Sequence, residues 1–393
     1  MDALVFPRKE ARYVAAMAMG RFKPGAGATY GPLTLTTMSP PALPGEGWQR
    51  VATRLSGICG SDLATVDGKS SRYFEPLVSF PFVPGHEVVG TTEDGRRVIL
   101  EPVLGPEPHG EVPAWPGAAQ ADGDDYGHLL GSNLEAGLQI GSCASTGGGW
   151  SDQFVAHHTQ LHDVADDLSD EAAVMIEPTA AGVHAALKAN VPDGGTAVVI
   201  GAGTMGLTAI AALRHLTGVN AIIVGARYPH QRTYAEAFGA DLVVDPSELP
   251  RAVRRVSGAR VIGSTLSTGA DVVIDAVGSS SSLTDALSLT RPRGRIVMLG
   301  MPADVEINLT ALWHRETELV GAYCYGTENV QHGDSDTCHT FDLATDLVRN
   351  LSLERLVTAT YPLSDYKKAI EHAAQAGMRG AIKIAFDLRD ETS

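Results

Sequence analysis

The stretch from Thr196 to Arg227 restricts what this 393-residue chain can fold into more than any other part of it. An apolar strand, Thr196 to Ile200, breaks at Gly201-Ala202-Gly203-Thr204-Met205-Gly206, passes into an alanine-rich helix and emerges as a second strand, Asn220 to Val224. A dinucleotide requires that order of elements. Gly201 permits the tight turn, Gly203 lets the backbone approach a pyrophosphate, Gly206 lets helix and strand pack closely, and the helix N-terminus opened by Thr204 and Met205 faces the phosphates. Glycine turns also close many strands for purely conformational reasons, so the flanking strands and helix carry the reading, not the glycines alone.

Further strands, Asp241 to Val244, Asp271 to Ile274 and Arg295 to Leu299, alternate with helix-competent segments, which predicts a parallel sheet covered on both faces. Asp275-Ala276-Val277-Gly278 ends one of them in a glycine turn, a natural wall for a cofactor. Residues 1 to about 55 read differently: short strand-like runs such as Leu33 to Thr36 and Trp48 to Leu55, separated by Pro- and Gly-rich turns, predict an irregular β-rich region. Residues 103–149 are rich in Gly, Pro, Asp and Ala without periodicity and read as a long surface excursion. Gly147 to Trp150 then feed a strand, Ser169 or Asp170 caps a helix that Pro178 should disturb, Phe341 to Arg349 and Tyr366 to Ala376 are amphipathic helices, and Ala381 to Phe386 is a closing strand.

A net charge of -16 argues against a nucleic-acid or anionic-membrane partner, whose binding draws on basic patches. No leader pattern opens the sequence and no apolar run approaches the ~20 residues of a membrane helix, so a cytoplasmic protein is expected. The four cysteines, Cys59, Cys143, Cys324 and Cys338, are too few and scattered for a disulfide framework and read as ligands or buried thiols.

Three ligand-type residues stand in unusual settings. Cys59 has a glycine on each side within two residues, His86 follows Pro84-Gly85, and Glu177 lies between an apolar helix and Pro178. Each alone has a plain structural explanation as a small buried thiol, a hydrogen-bonded imidazole or a solvated carboxylate. Together with the downstream nucleotide turn, the segments Gly57-Ile58-Cys59-Gly60-Ser61-Asp62, Pro84-Gly85-His86-Glu87, Glu177-Pro178, Gly201 to Gly206 and Asp275 to Gly278 resemble the zinc-dependent medium-chain dehydrogenase/reductase superfamily, nearer its polyol, sugar and threonine dehydrogenase branches. The resemblance implies an α/β fold: a Rossmann doubly wound parallel sheet over 171–331, plus a β-rich GroES-like catalytic domain over 1–170 completed by 332–393. It implies one catalytic zinc per chain on Cys59, His86 and Glu177, with Glu87 able to approach the metal and a position left for water or substrate. Ser61 matches the hydroxyl that relays the alcohol proton, and Asp62 the carboxylate that orients His86. Both are also residue types that cap helices.

Two departures from the family pattern are visible. Many relatives carry four clustered cysteines after the Gly-His-Glu segment for a structural zinc, whereas residues 103–149 hold only Cys143, beside His109, His128 and many carboxylates. A thiolate site cannot be assembled from one cysteine, so no structural zinc is expected and Cys143 reads as a buried or pocket-facing thiol. Ala64 stands where some relatives continue the relay with a histidine.

The second strand of the nucleotide unit decides the dinucleotide. NAD-binding forms end it in Asp or Glu, which would repel a 2'-phosphate. Here Val224-Gly225-Ala226-Arg227 offers room at Gly225 and then a guanidinium, so NADP(H) is expected over NAD(H), with Arg227, and less directly Arg232 and His230, as phosphate contacts. The substrate pocket is expected near Ser61, Phe82 or Trp150, and the Gly321 to Tyr325 segment, although a Tyr or Trp there reads equally as core packing. Hydride transfer between NADP(H) and a secondary alcohol, polyol or sugar follows from the resemblance, as does a homodimer or homotetramer. A zinc-independent NADPH reductase of an activated double bond, and a non-enzymatic nucleotide-binding protein, are the other classes open to this sequence.

Overall fold

The computed structural model describes every residue except 131–132, 264, 331, 333–334 and 390–393. The chain divides into two compact units, Met1–Glu177 with Ser352–Ser393, and Pro178–Leu351. The boundary anticipated after 170 falls instead at Glu177, and the one anticipated at 331 lies on a residue outside the described set. The return to the first unit comes at Ser352, because the helix Thr340–Leu351 belongs with the second.

The second unit holds a six-stranded sheet in the order Leu242–Val244, Ala221–Gly225, Thr196–Ile200, Ala270–Asp275, Thr290–Met298, Glu318–Gly321. Every pairing is parallel. Numbered along the chain this is 3-2-1-4-5-6, the doubly wound order whose direction reverses between strands 1 and 4. The apolar runs that read as buried strands are buried: Ala197, Val198, Val199, Ile222, Val224, Val273 and Ile274 are at most 1% exposed. The second strand begins at Ala221, one residue later than expected.

The first unit is organised by one long strand, Trp48–Gly57, at the centre of a seven-stranded sheet. It pairs antiparallel with Lys383–Asp387, Val88–Thr92 and Gln153–His157. The register sets Gly57 opposite Ala385 and Ser56 opposite Val88. Three distant parts of the sequence, 57–59, 86–88 and 383–385, are thereby delivered to one end of one strand.

Residues 1–55 are less purely β than expected, since Glu10–Gly20 and Gly27–Tyr30 are helical. The longer helix buries only Ala16 and Gly20, so no apolar stripe at helical spacing marks it in the sequence. The buried carboxylate of Asp67 holds this insertion by accepting from the backbone N–H groups of Gly25 and Gly27, each at 3.0 Å. Among the described residues, 103–149 carry the short turns Glu107–His109 and Gly127–Leu130 and two isolated bridges, Val103 to Gln139 and Gly137 to Val78. Ser169 caps Asp170–Ala173 through the Ala172 N–H at 3.0 Å. The helix then restarts at Ile176, leaving Pro178 in a first turn where its missing N–H costs nothing. No helix among the described residues is long and apolar enough to cross a membrane.

Candidate functional site

The strand register brings the first cluster together. Gly57 donates its N–H to the Glu87 carbonyl at 2.8 Å and Ile58 donates to the Ile384 carbonyl at 2.9 Å, so Cys59, His86, Glu87 and Lys383 follow from backbone pairing. Cys59 is the N-cap of the helix Gly60–Val66, and its N–H donates to Asp62 Oδ2 at 3.0 Å. The other oxygen of Asp62 stands 3.4 Å from His86 Nδ1, with both side chains buried. The two roles open to Asp62, helix cap and histidine-orienting carboxylate, are therefore both present, one on each oxygen. A carboxylate at Nδ1 leaves Nε2 to act as ligand.

Cys59 and His86 are within hydrogen-bonding reach of each other. Burial alone lowers the proton affinity of His86, but Asp62 and the Cys59 sulfur more than reverse this and hold its pKa well above the usual histidine value. Glu177 enters the same corner through Lys383, whose ammonium feels the charges of Glu87, Cys59 and Glu177. A thiol, an imidazole backed by a carboxylate, and a nearby glutamate form a donor set suited to a borderline divalent ion such as zinc.

Lys383 is the member that sequence reasoning missed. Its Nζ lies 2.6 Å from both oxygens of Glu87, and both side chains are almost wholly buried. Burial opposes the charge on Lys383, and the carboxylate of Glu87 outweighs it, raising the pKa. Glu87 lies across Gly57, where an added Cβ would sit 2.0 Å from Oε2, so this position excludes any side chain. The signal was in the sequence: a single charge inside the otherwise apolar run Ala381 to Phe386.

Ser61 is half-buried in the first turn of the Gly60–Val66 helix, one turn before Ala64. Two residues expected near the substrate belong to the core instead. Trp150 is fully buried, with its indole N–H donating to the Gly57 carbonyl at 3.3 Å, and Phe82 stacks on Phe6 at 5.2 Å. Both are large rings at the end of the β-sheet, where burial gains most. In the Gly321 to Tyr325 segment, Tyr325 is buried edge-on to Phe341 and Tyr323 is half exposed. Cys143 is buried in the core and donates to the Glu135 carbonyl at 3.2 Å.

The second cluster lies at the sheet's reversal point. Gly201 adopts φ +94°, and Gly206 packs so closely that a Cβ would lie 2.0 Å from the Gly201 carbonyl oxygen. An added Cβ at Gly203, N-cap of the helix Thr204–Leu216, meets nothing within 4 Å. That is the open approach a pyrophosphate needs. The turn after strand 4 stands alongside: Ala276 N–H donates to the Ile200 carbonyl at 3.0 Å, and the Val277 side chain faces Gly201. Fully buried Asp275 shapes this turn, accepting from the N–H groups of Val277 at 2.9 Å and Gly278 at 3.1 Å and from Ser282 Oγ at 2.9 Å.

At the end of the second strand the expected room is absent. A Cβ on Gly225 would lie 2.6 Å from Leu249 Cδ1, because the helix starting at Leu249 packs over the strand end. Arg232 is also spoken for, donating from Nε to the Ala226 carbonyl at 2.9 Å and pairing with Asp245 at 3.4 Å. His230 stacks with Tyr228, ring centroids 5.9 Å apart. Arg227 is exposed, with its charge acting on Asp245.

Residues 45–166 match the alcohol dehydrogenase GroES-like domain and residues 204–340 the zinc-binding dehydrogenase family. The chain is 26% identical to the L-idonate 5-dehydrogenase of Vitis vinifera, covering 89% of this chain and 91% of that protein. It is 27% identical to the sorbitol dehydrogenase of Bacillus subtilis strain 168, covering 81% and 84%. Among solved structures, an Escherichia coli oxidoreductase of unknown specificity superposes with a TM-score of 0.72 at 19% identity, covering 98% of this chain and 99% of that one, a likeness of fold.

Proposed function

Since the chain belongs to the zinc-dependent medium-chain dehydrogenase/reductase superfamily, we propose that it is an oxidoreductase moving hydride between NADP(H) and a secondary alcohol, polyol or sugar, or the corresponding carbonyl. The observation that carries this reading is the meeting of Cys59 and His86 with Asp62 behind the imidazole. Cys59, His86 and Glu177 would hold one zinc per chain. Bound there, zinc supplies Lewis acidity toward an alcohol or carbonyl oxygen, and the nicotinamide supplies the hydride carrier.

The rest is work for the chain's own side chains. Ser61, two residues after Cys59, accepts the alcohol proton at its hydroxyl, and with Ala64 offering no next acceptor, water or a cofactor hydroxyl takes the proton onward. Asp62 fixes the ring of His86 so that Nε2 remains the ligand atom. Lys383 offsets the negative charge that Cys59, Glu87 and Glu177 gather in one buried corner. Thr204, Met205 and the glycines of 201–206 receive the pyrophosphate on backbone N–H groups, Ala276, Val277 and Gly278 form the adjoining wall, and Arg227 pairs with the 2'-phosphate. The similarity to sorbitol and idonate dehydrogenases supports the polyol class. A soluble homodimer or homotetramer in the cytoplasm completes the proposal.

The test is a panel of ketones, polyols and sugars assayed with NADPH and NADH on protein of measured zinc content. Turnover with about one zinc per chain and a preference for NADPH is expected. Faster catalysis with NADH would overturn the cofactor assignment. Activity that survives zinc removal would point to the double-bond reductase, and NADPH binding without any turnover to the non-enzymatic class.

A further inference from the structure

The helix Glu10–Gly20 is apolar nearly all round yet lies on the surface of the first unit, where a helix of that kind is ordinarily covered. Its inner side is Ala16 and Gly20, and a Cβ added to Gly20 would lie 3.1 Å from the side chain of Asp67. Half a turn round, on the outward side, stand Ala11, Val14, Ala15 and Ala18. The coil continues past Gly20, with the Lys23 N–H donating to the Met19 carbonyl at 3.0 Å, and adds Phe22 to the same side. Val14 is 62% and Phe22 85% exposed, so the side that meets water carries no charge along its middle. Arg12 stands off this face, with its charge acting on Tyr366.

The charges at its edge say what covers it. Glu10 and Arg21 are eleven positions apart, about three turns, so they stand on the same edge of the apolar face at opposite ends. Arg21 has no ion pair among the described residues, and Glu10 has only an exposed approach of 3.9 Å to Arg8. Two copies of the helix laid antiparallel about a two-fold axis level with Ala15 and Ala16 keep like edges together, and Glu10 of each copy then meets Arg21 of the other. The face is thus complementary to itself, as a contact between identical chains requires. Val14 of each copy comes beside Met17 and Ala18 of the other, and the alanines let the two axes approach towards the close end of about 8–10 Å. An anionic lipid surface is served less well: Arg8 and Lys23 are already paired, with Glu75 at 3.3 Å and Glu371 at 2.8 Å, and the alanines reach little way into a bilayer.

We propose that the outward face of Glu10–Gly20, with Phe22, is a contact between two copies of this chain: an antiparallel helix pair closed at both ends by reciprocal Glu10–Arg21 ion pairs. It rests on the homo-oligomer of the proposed function and goes beyond it by naming a face and a register. A helix about 16 Å long covers less than the roughly 800 Å² per partner of an interface that stands alone. The pair is therefore the smaller of two contacts, the one that joins dimers into a tetramer.

Light scattering on the full-length chain tests this. The wild type should be a tetramer and Val14→Glu/Ala18→Glu a dimer, a halved mass with an unchanged circular dichroism spectrum, since both positions are exposed. An unchanged mass in that variant overturns the contact. The register is tested by exchanging charges: Glu10→Arg and Arg21→Glu should each give the dimer, and Glu10→Arg/Arg21→Glu should restore the tetramer, which neither misfolding nor a general salt effect would do. Failure of the double variant to restore it overturns the antiparallel pair. Wild-type protein that is no tetramer in solution but floats with phosphatidylserine vesicles, and loses them in Val14→Glu/Ala18→Glu, would also overturn it, in favour of a lipid surface. Turnover with NADPH, measured on the same samples, keeps the two readings apart. A tetramer that follows the charge exchange without any turnover upholds the contact and removes the hydride-transfer reading, whereas an active enzyme whose mass ignores every variant does the reverse.

Discussion

The two candidate clusters are built from opposite materials. The nucleotide turn, Gly201 to Gly206 with Asp275 to Gly278, is made of backbone: N–H groups, a left-handed glycine and absent side chains. The candidate metal corner is made of side chains: Cys59, Asp62, His86, Glu87 and Lys383, brought together by the register of a sheet, and Glu177 from the first turn of the helix Ile176–Lys188. A backbone site is broken by adding atoms, while a side-chain site is broken by removing them.

That contrast can be pressed from either side. The largest effect is expected from Cys59→Ser, which should remove bound metal and lower kcat by about 10⁴-fold, or ~5 kcal/mol, while NADPH binding measured by fluorescence stays unchanged. A parallel loss of nucleotide affinity would erase the distinction between the clusters. Lys383→Met comes next: it strands the buried carboxylate of Glu87 and should cost about 4 kcal/mol of stability, read as a lower denaturation midpoint. Adding Glu87→Gln should recover most of that loss, and no recovery would mean that Lys383 stabilises through something other than the pair.

Gly206→Ala is the corresponding assault on the backbone site. The new methyl would press on the Gly201 carbonyl, costing about 2 kcal/mol and weakening NADPH binding more than tenfold, with metal content unchanged. The smallest effect belongs to Arg227→Ala, which should raise the Michaelis constant for NADPH about tenfold and leave that for NADH alone, the loss of one charge-assisted pair at an exposed position. Equal effects on both cofactors would remove Arg227 from the 2'-phosphate.

The same contrast explains how much could be read beforehand. The Rossmann unit was legible because its strands are continuous apolar runs and its turn is a local glycine spacing, so sequence neighbours are also spatial neighbours. In the metal corner, residues with distinctive chemistry, Cys59 and His86, announced themselves, but Lys383 comes from the closing strand, and only the antiparallel register brings it to Glu87. The helix Glu10–Gly20 escaped because its buried face is only an alanine and a glycine. The room supposed at Gly225 was lost to Leu249, which lies 24 positions further on in the numbering and folds back over the strand end. Trp150 and Phe82 show the same limit: an aromatic side chain beside a site reads alike in sequence whether it faces a ligand or the core.

Asp62 couples two events that are usually separate. One oxygen holds the start of the Gly60–Val66 helix and the other holds a ring of the metal corner, so neither can loosen without disturbing the other. If the proposed zinc is held there, fraying of that first turn and release of the ion from His86 would be one cooperative opening. The amide hydrogens of Cys59 to Leu63 would then act as a built-in gauge of occupancy, exchanging slowly when the ion is held and quickly when it is gone.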